Sequence, residues 1–478
     1  MSSVNEKKNF CKAGEYVKKV CEQIRWQKAH KVIAEELLDH IQDQKEAFIR
    51  RGQKEEEAEQ NAVLEMGDAV TVGLQMDQTH RPKPDWGIII IMSICIIMGL
   101  IIQFITSHCS GLDSGYAYAG AFENSLTVLP IAIAVFLIMY FIADYTLIVR
   151  SPAFYFFLIL SANIFNTSPT TPQMNMLLSP IGYIAMVLVP LYAAIAYNYR
   201  NKGYGALIKL GIIACVAIVV FLWRNSYMSC LVFAVSGIII LTAATARNWF
   251  SVEKWKALLL IYAPSTMAFA YILFGRQANI SLRGQGIFLM QFMEETNGEN
   301  YMAFLIKECL KNAKILGEGT AFYTNSGNSS LGTSIQAVLP CWWSDYSLIY
   351  ITYRFGYVCA ALLIAAACFL LIRMLLITRR QTSELGFIIC LSVTTVLFIQ
   401  AGFYILSNLG MIRAVAGPLP LITYGRASLV VNMYLMGIFA SANRNRTIVN
   451  DIQVKKISNT LFQKEEAFIR KYLFSYKK

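Results

Sequence analysis

One carboxylate stands alone in the second half of this chain. Asp345 is the only acidic residue between Glu318 and Glu384, and Leu339, Pro340, Cys341, Trp342, Trp343 and Ser344 lead directly into it. A lone carboxylate can take a proton from a hydroxyl, while nearby positive charge holds an anionic group such as a phosphate. The cations on offer are Arg276, Arg283, Lys307, Lys311 and Lys314 in the polar interval before Asp345, with Arg354 and Arg426 after it. Arginine presents phosphate with a planar fork, lysine with a point charge.

Each of these residues also has a plainer reading. Ser344 and Asp345 are both preferred N-cap types, and a helix dipole favours an anion there. Capping would lower the pKa of Asp345, whereas burial against Trp342 and Trp343 would raise it. The two tryptophans are most simply interfacial belt residues, the lysines solvated or snorkelling, and Arg426 snorkelling at the interface. Arg354 is expected about two turns into an apolar span, where an ionisable group points to a groove that binds a phosphate or pairs a carboxylate. Pro418 and Pro420 would set the entry of the last span, and Gly425 would let helices approach closely.

The elements that must position these groups follow from periodicity. Met302, Leu305, Ile306, Cys309, Leu310, Ala313 and Leu316 keep a helical rhythm, with the three lysines on the other face. This predicts an amphipathic helix lying in the outer interface and ended by Gly317 and Gly319. Around it the chain is lipid-like: of 478 residues, 56% are hydrophobic and 15% charged, with mean hydropathy +0.47. That composition predicts an all-α polytopic membrane protein. At about 20 apolar residues per crossing, ten spans are expected, near 87–106, 126–149, 153–165, 177–197, 205–223, 228–246, 255–274, 346–377, 386–408 and 418–441.

Orientation follows from the basic residues. Arg150, Arg200, Lys202, Arg247, Lys254, Lys256, Arg373, Arg379, Arg380, Arg444, Arg446, Lys455 and Lys456 fall in alternate connectors, and the connectors 106–125 and 166–176 hold no Lys or Arg. Both termini then face the cytosol and the loop 275–345 faces outward. The net charge of +12 gathers around the membrane, which argues against nucleic acid as a partner and for membrane lipids. Residues 1–82 are polar with no apolar stretch near the start, so they read as a cytosolic helical domain and not a signal peptide. Ile33, Leu37, Leu38 and Ile41, then Ala58, Ala62, Val63 and Met66, carry its helical spacing, with Gly52 and Gly67 as breaks. Residues 443–478 form a basic tail. The cysteines show no CxxC pair, although Cys309 and Cys341 could bridge, and the four histidines make no cluster. No nucleotide or hydrolase fingerprint occurs, so an ATP-driven pump has no support.

Two stretches resemble a known family. Gly417, Pro418, Leu419, Pro420, Leu421, Ile422, Thr423, Tyr424 and Gly425, followed by Ser428, are similar to the last-span signature of the SEDS family, which includes RodA, FtsW and SpoVE. Leu339, Pro340, Ser344, Asp345, Tyr346 and Gly356 resemble its outer-loop motif, and Asp144, Tyr145 and Arg150 also match its pattern. Residues 34–82 resemble the helical prefix domain that precedes some bacterial permeases. The SEDS resemblance implies a ten-span peptidoglycan glycosyltransferase that polymerises lipid II, in cell shape, cell division or sporulation. It implies Asp345 as the catalytic residue and a class B penicillin-binding transpeptidase as partner. A divalent cation could assist the leaving group, yet no ligand cluster argues for one. Tyr353 and Arg354 stand where the family usually carries two acidic residues, Arg426 where it repeats glycine, and Arg224, Asn225, Ser226 and Tyr227 where it is Pro-rich. A flippase for the same lipid, or a scaffold that keeps the fold without the activity, are the rival readings.

Overall fold

The computed structural model describes residues 11–80, 84–108, 120–142, 151–165, 181–224, 226–274, 301–320, 335, 339, 342–411 and 418–446. Every regular element among them is helical, as composition and periodicity predict. The chain divides into two units, residues 1–84 with 444–478, and residues 85–443.

The first unit holds α1 (Cys11–Gln23), α2 (Gln27–Arg50), α3 (Glu55–Glu65) and α4 (Ala69–His80). Its sequence rhythm becomes a core in which Val20, Ile33, Leu37, Ile41, Ala58 and Ala62 are buried. Gly52 and Gly67 adopt positive φ and end α2 and α3, a conformation that a Cβ would strain. Asp68 then caps α4, accepting from the Thr71 N–H at 3.0 Å and its hydroxyl at 2.9 Å. Those bonds favour the carboxylate and hold its pKa below the ordinary range.

The second unit holds α5 (Trp86–His108), α6 (Ala121–Leu137, running into a π turn at Ile138–Ile142), α7 (Pro152–Phe165) and α8 (Ile181–Asn198). It continues with α9 (Gly203–Trp223), α10 (Tyr227–Ala246), α11 (Lys254–Phe274), α12 (Tyr301–Asn312), α13 (Ser347–Phe355), α14 (Tyr357–Arg379), α15 (Glu384–Asn408) and α16 (Arg426–Arg444). Six of these are long and apolar enough to cross a bilayer: α5, α6 with its π turn, α9, α10, α14 and α15. This is a multi-pass membrane protein.

Two expected spans change shape. The stretch 346–377 is not one helix, because Gly356, at φ +95°, separates α13 from α14. The stretch 418–441 turns helical only at Arg426, and residues 418–424 are a buried non-helical turn. Irregular backbone is tolerated at membrane depth only where protein encloses it. Here α15 supplies much of the enclosure: it packs on α8, α10 and α14 and buries most of its length. Glycine supplies more. Gly99 of α5 leaves no room for a Cβ against the Ile422 carbonyl, and a Cβ at Gly437 of α16 would lie 2.6 Å from Met139 Cβ. Close approach at small residues is how helices associate where lipid is the solvent. Two ion pairs tie helix ends together: Arg373 of α14 donates to both Asp85 oxygens at 3.2 Å, and Glu384 accepts from Arg247 at 3.0 Å and Trp249 at 2.9 Å.

Candidate active site

Asp345 sits in the turn 342–346 just ahead of α13. That helix begins at Ser347 with Tyr346 as its N-cap and no side-chain cap, so neither Ser344 nor Asp345 plays the capping role. The free N–H groups of its first turn are met from α15 instead. Leu348 N–H donates to the Tyr404 hydroxyl at 3.0 Å, and Ile349 N–H donates to Asn408 Oδ1 at 3.3 Å. Asn408 Nδ2 then donates to the Asp345 carbonyl at 2.8 Å, and Ser347 Oγ lies 2.9 Å from the Tyr404 hydroxyl. A neighbouring helix thus caps α13 and fixes the backbone of the carboxylate at the same time.

The carboxylate itself is barely satisfied. Asp345 is 3% exposed; Ser344 Oγ donates to its Oδ1 at a long 3.4 Å, and Oδ2 is buried without a partner. Among the described residues no cation pairs with it. Burial therefore pushes its pKa up to about 7, with the Ser344 bond pulling weakly the other way. Trp342, expected in the interfacial belt, is buried with its ring 4.8 Å from that of Tyr350, and Trp343 packs edge-on against it. These rings help to exclude water from the turn.

The same network reaches the Pro-rich turn. The single Ser344 hydroxyl proton is shared between Asp345 Oδ1 and the nearer Tyr424 carbonyl, 2.9 Å away. Gln400, four residues before Tyr404 on one face of α15, donates to the Pro418 carbonyl at 2.8 Å and reaches Ser428 Oγ at 3.4 Å. Asn432 Nδ2 bonds the same hydroxyl at 3.1 Å, and Tyr183 of α8 also bonds it. Inside the turn, Leu419 N–H donates to Thr423 Oγ1 at 2.6 Å, and the buried Leu421 is held at φ +62°. A non-glycine residue there stores strain that only a tightly determined surrounding sustains. Gly425 fits because a Cβ would lie 2.8 Å from Pro418 Cγ.

The predicted cations go elsewhere. α12 is amphipathic as its sequence pattern predicts, with Leu305, Ile306 and Cys309 buried and Lys307, Lys311 and Lys314 exposed. It packs on α13, and its apolar rhythm stops short: Leu316 is exposed. The segment after α12 crosses the Gly356 break. Tyr357 N–H donates to the Lys314 carbonyl at 3.0 Å and Val358 N–H to the Ile315 carbonyl at 3.2 Å, while Gly317 and Gly319 donate back to Phe355 and Tyr353. Arg354 then lies at a helix end beside this segment and pairs with Glu318 there, because Gly356 cuts the helix two residues later. Of the two expected roles it takes the carboxylate pairing, at the protein surface and not deep in a span. Arg426 is exposed at the first position of α16.

The structure thus gathers Asp345, Pro418, Tyr424 and Ser428 into one network, with Pro420 and Gly425 in its wall, and leaves Lys307, Lys311, Lys314, Arg354 and Arg426 at the surface. Arg276, Arg283, Cys341, Asp144, Tyr145 and Arg150 lie outside the described residues; Cys309 is a free, buried thiol. Gln400, Tyr404, Asn408 and Asn432 escaped the sequence reading. Their signal was present: polar residues at 400, 404 and 408 repeat every four positions along one face of an apolar helix.

A family model for cell cycle proteins of the FtsW, RodA and SpoVE type matches residues 85–448. No curated protein matches the sequence. Among solved structures, a chain of a peptidoglycan synthase complex that coordinates polymerization and crosslinking is similar in fold, with TM-score 0.54 and 12% identity over 76% of this chain and 98% of that one. The Thermus thermophilus rod shape determining protein RodA aligns over 76% of this chain and 97% of its own, with 12% identity and TM-score 0.48.

Proposed function

We propose that this chain, which belongs to the FtsW, RodA and SpoVE family of cell cycle proteins, acts in peptidoglycan synthesis as a glycosyltransferase that polymerises lipid II. The reaction would take place at the outer face of the bacterial cytoplasmic membrane, within a ten-span body whose termini are both cytosolic. The observation that carries this reading is Asp345: a buried carboxylate with one oxygen unpartnered, held by its backbone in a rigid turn, with a pKa near neutrality. A base poised near the working pH can take the proton of an acceptor hydroxyl and still be ionised often enough to act. That hydroxyl oxygen then attacks the anomeric carbon of the donor with inversion, the glycosidic bond forms, and the pyrophosphate leaves with the bonding pair.

The exposed lysines and Arg426 would meet the pyrophosphate only when substrate or a partner draws them in; Arg354 would first have to leave Glu318. A class B penicillin-binding transpeptidase is the partner proposed, a reading supported by the synthase complex that shares the fold. Among the described residues no three His, Cys, Asp or Glu side chains converge.

The test is polymerisation of labelled lipid II by the full chain in liposomes. Glycan chains are expected from the wild type, with a loss of about 100-fold or more in Asp345→Ala. Lipid crossing the bilayer without polymer would mark a flippase, and neither activity would mark a scaffold; both outcomes defeat the enzyme.

A further inference from the structure

Two segments flank the second unit, and they leave it together. Asp85 is the first residue of that unit and Asn443 the last, and Asn443 Nδ2 donates to Asp85 Oδ2 at 3.4 Å. Residues 1–84 and the basic tail therefore join the membrane body at neighbouring points, and the tail groups with residues 1–84 in the first unit. A shared anchor of this kind holds two segments at an effective concentration on the order of millimolar, so even a weak surface between them is occupied.

The tail repeats part of α2. Glu466, Ala467, Phe468, Ile469 and Arg470 duplicate Glu46, Ala47, Phe48, Ile49 and Arg50, and in the same register Ile457 and Leu461 stand where α2 has Leu37 and Ile41. In α2 the side chains of Leu37, Ile41 and Phe48 are the buried ones, so the tail carries the apolar stripe of an amphipathic helix. Lys455, Lys456, Lys464, Arg470 and Lys471 fall off that stripe. Because α2 already fills its own place in the core, the copy needs another surface.

The outer sides of α3 and α4 supply one. α3 holds Glu55, Glu56, Glu57, Glu59 and Glu65 and no Lys or Arg. Lys45 pairs with Glu55 at 2.9 Å and Glu59 at 3.7 Å, whereas Glu56, Glu57 and Glu65 are exposed and form no ion pair among the described residues. Glu57 and Leu64 lie two turns apart on one side of α3, away from the buried Ala58 and Ala62, and Leu64 is 75% exposed. Just past the turn at Gly67, Val70 and Leu74 are half-exposed one turn apart on α4. Exposed apolar side chains rimmed by acidic ones mark an interaction surface, and a basic helix with an apolar stripe complements it in both respects.

We propose that the tail, residues 454–473, docks as a helix on the outer sides of α3 and α4 of its own chain. Phe468 and its apolar neighbours cover Leu64, Val70 and Leu74, and the basic residues beside them meet Glu56, Glu57 and Glu65. This docking is independent of the chemistry at Asp345.

Hydrogen exchange of the full chain in nanodiscs of neutral lipid tests it. Amides of α3 and α4 should exchange about tenfold faster in a chain ending at Arg446 than in the wild type, and added peptide 447–478 should restore them. Phe468→Asp, Leu64→Asp and Glu57→Lys should each act like the deletion. Raising the ionic strength to about 1 M, where the Debye length is ~3 Å, should weaken the protection; diluting the protein tenfold should not change it. Exchange in α3 and α4 that ignores the deletion would overturn the proposal. A deletion or Phe468→Asp that loosens all four helices equally would place the tail in the core instead, and protection lost on dilution would give the surface to a second copy. Tail amides whose protection follows the phosphatidylglycerol content of the disc and ignores Glu57→Lys would give the tail to the lipid surface. Each of these also defeats the docking.

Discussion

The chain interrupts its apolar helices twice near Asp345, and it repairs the two breaks by different means. At Gly356 the repair is backbone to backbone: the carbonyls of Lys314 and Ile315 take the freed N–H groups of Tyr357 and Val358. Around residues 418–424 side chains make the repair, with Gln400 bonding the Pro418 carbonyl, Thr423 the Leu419 N–H, and Ser344 the Tyr424 carbonyl. A backbone repair demands little of residue type except room, which is why glycines sit on both sides of it. A side-chain repair demands particular polar groups inside the membrane body, and those same groups surround Asp345. The first break is mechanical, and the second belongs to the network around the proposed base.

The harshest way to break the first is Gly356→Ala. The residue would have to hold φ +95°, and its Cβ would lie 2.5 Å from the Ile315 carbonyl oxygen, which has no flexible end to move. Strain and overpacking together should cost about 4 kcal/mol. Hydrogen exchange should show amides 317, 319, 357 and 358 losing protection together, and protection that persists would mean the crossing segment is not what holds the break.

The second region is sensitive to pH where the first is not. An unfolded Asp345 gives up its proton near the ordinary value of 3.8, while the folded one keeps it to about 7. Between those values the folded state binds more protons, so stability falls as pH rises through that window and stays low above it. The loss should be on the order of 3 kcal/mol from pH 4 to pH 8, and Asp345→Asn should abolish it. Melting curves of the two proteins across that range decide the matter; parallel curves would place the buried charge elsewhere.

A smaller effect tests the side-chain repair directly. Gln400→Leu removes the donor to the Pro418 carbonyl and should destabilise by about 1–3 kcal/mol, the cost of a buried acceptor left bare. It should also lower polymerisation, since the turn it loosens holds Ser344 beside Asp345. Full activity with the expected stability loss would separate the turn from the chemistry.

Much of this was legible before the structure. Helical class, apolar spans, the burial of Ile33 and Leu37, the two faces of α12 and the isolation of Asp345 all follow from local pattern, because period and composition are local quantities. What was not legible is which polar groups meet. Capping of α13 by Tyr404 and Asn408 crosses nearly sixty residues, and no local rule distinguishes it from capping by Ser344. The break at Gly356 was hidden for a similar reason: the apolar run continues through it, and only the approach of residues 315 and 316 requires a residue without a Cβ.

The smallest predicted effect concerns Arg354, whose sequence context suggested depth and whose structure shows surface. Its side chain is 39% exposed and that of its partner Glu318 is 55% exposed, so solvent screens the pair and the contribution should fall within about 1 kcal/mol. Arg354→Ala and Glu318→Ala should therefore each shift the melting midpoint by little, and the double variant no more than either. If Arg354 serves only to fasten the crossing segment, both single variants should polymerise lipid II equally well. A loss of activity confined to Arg354→Ala, with Glu318→Ala unaffected or faster, would show instead that the pair restrains an arginine that substrate recruits, and the backbone-made break would then join the chemical site.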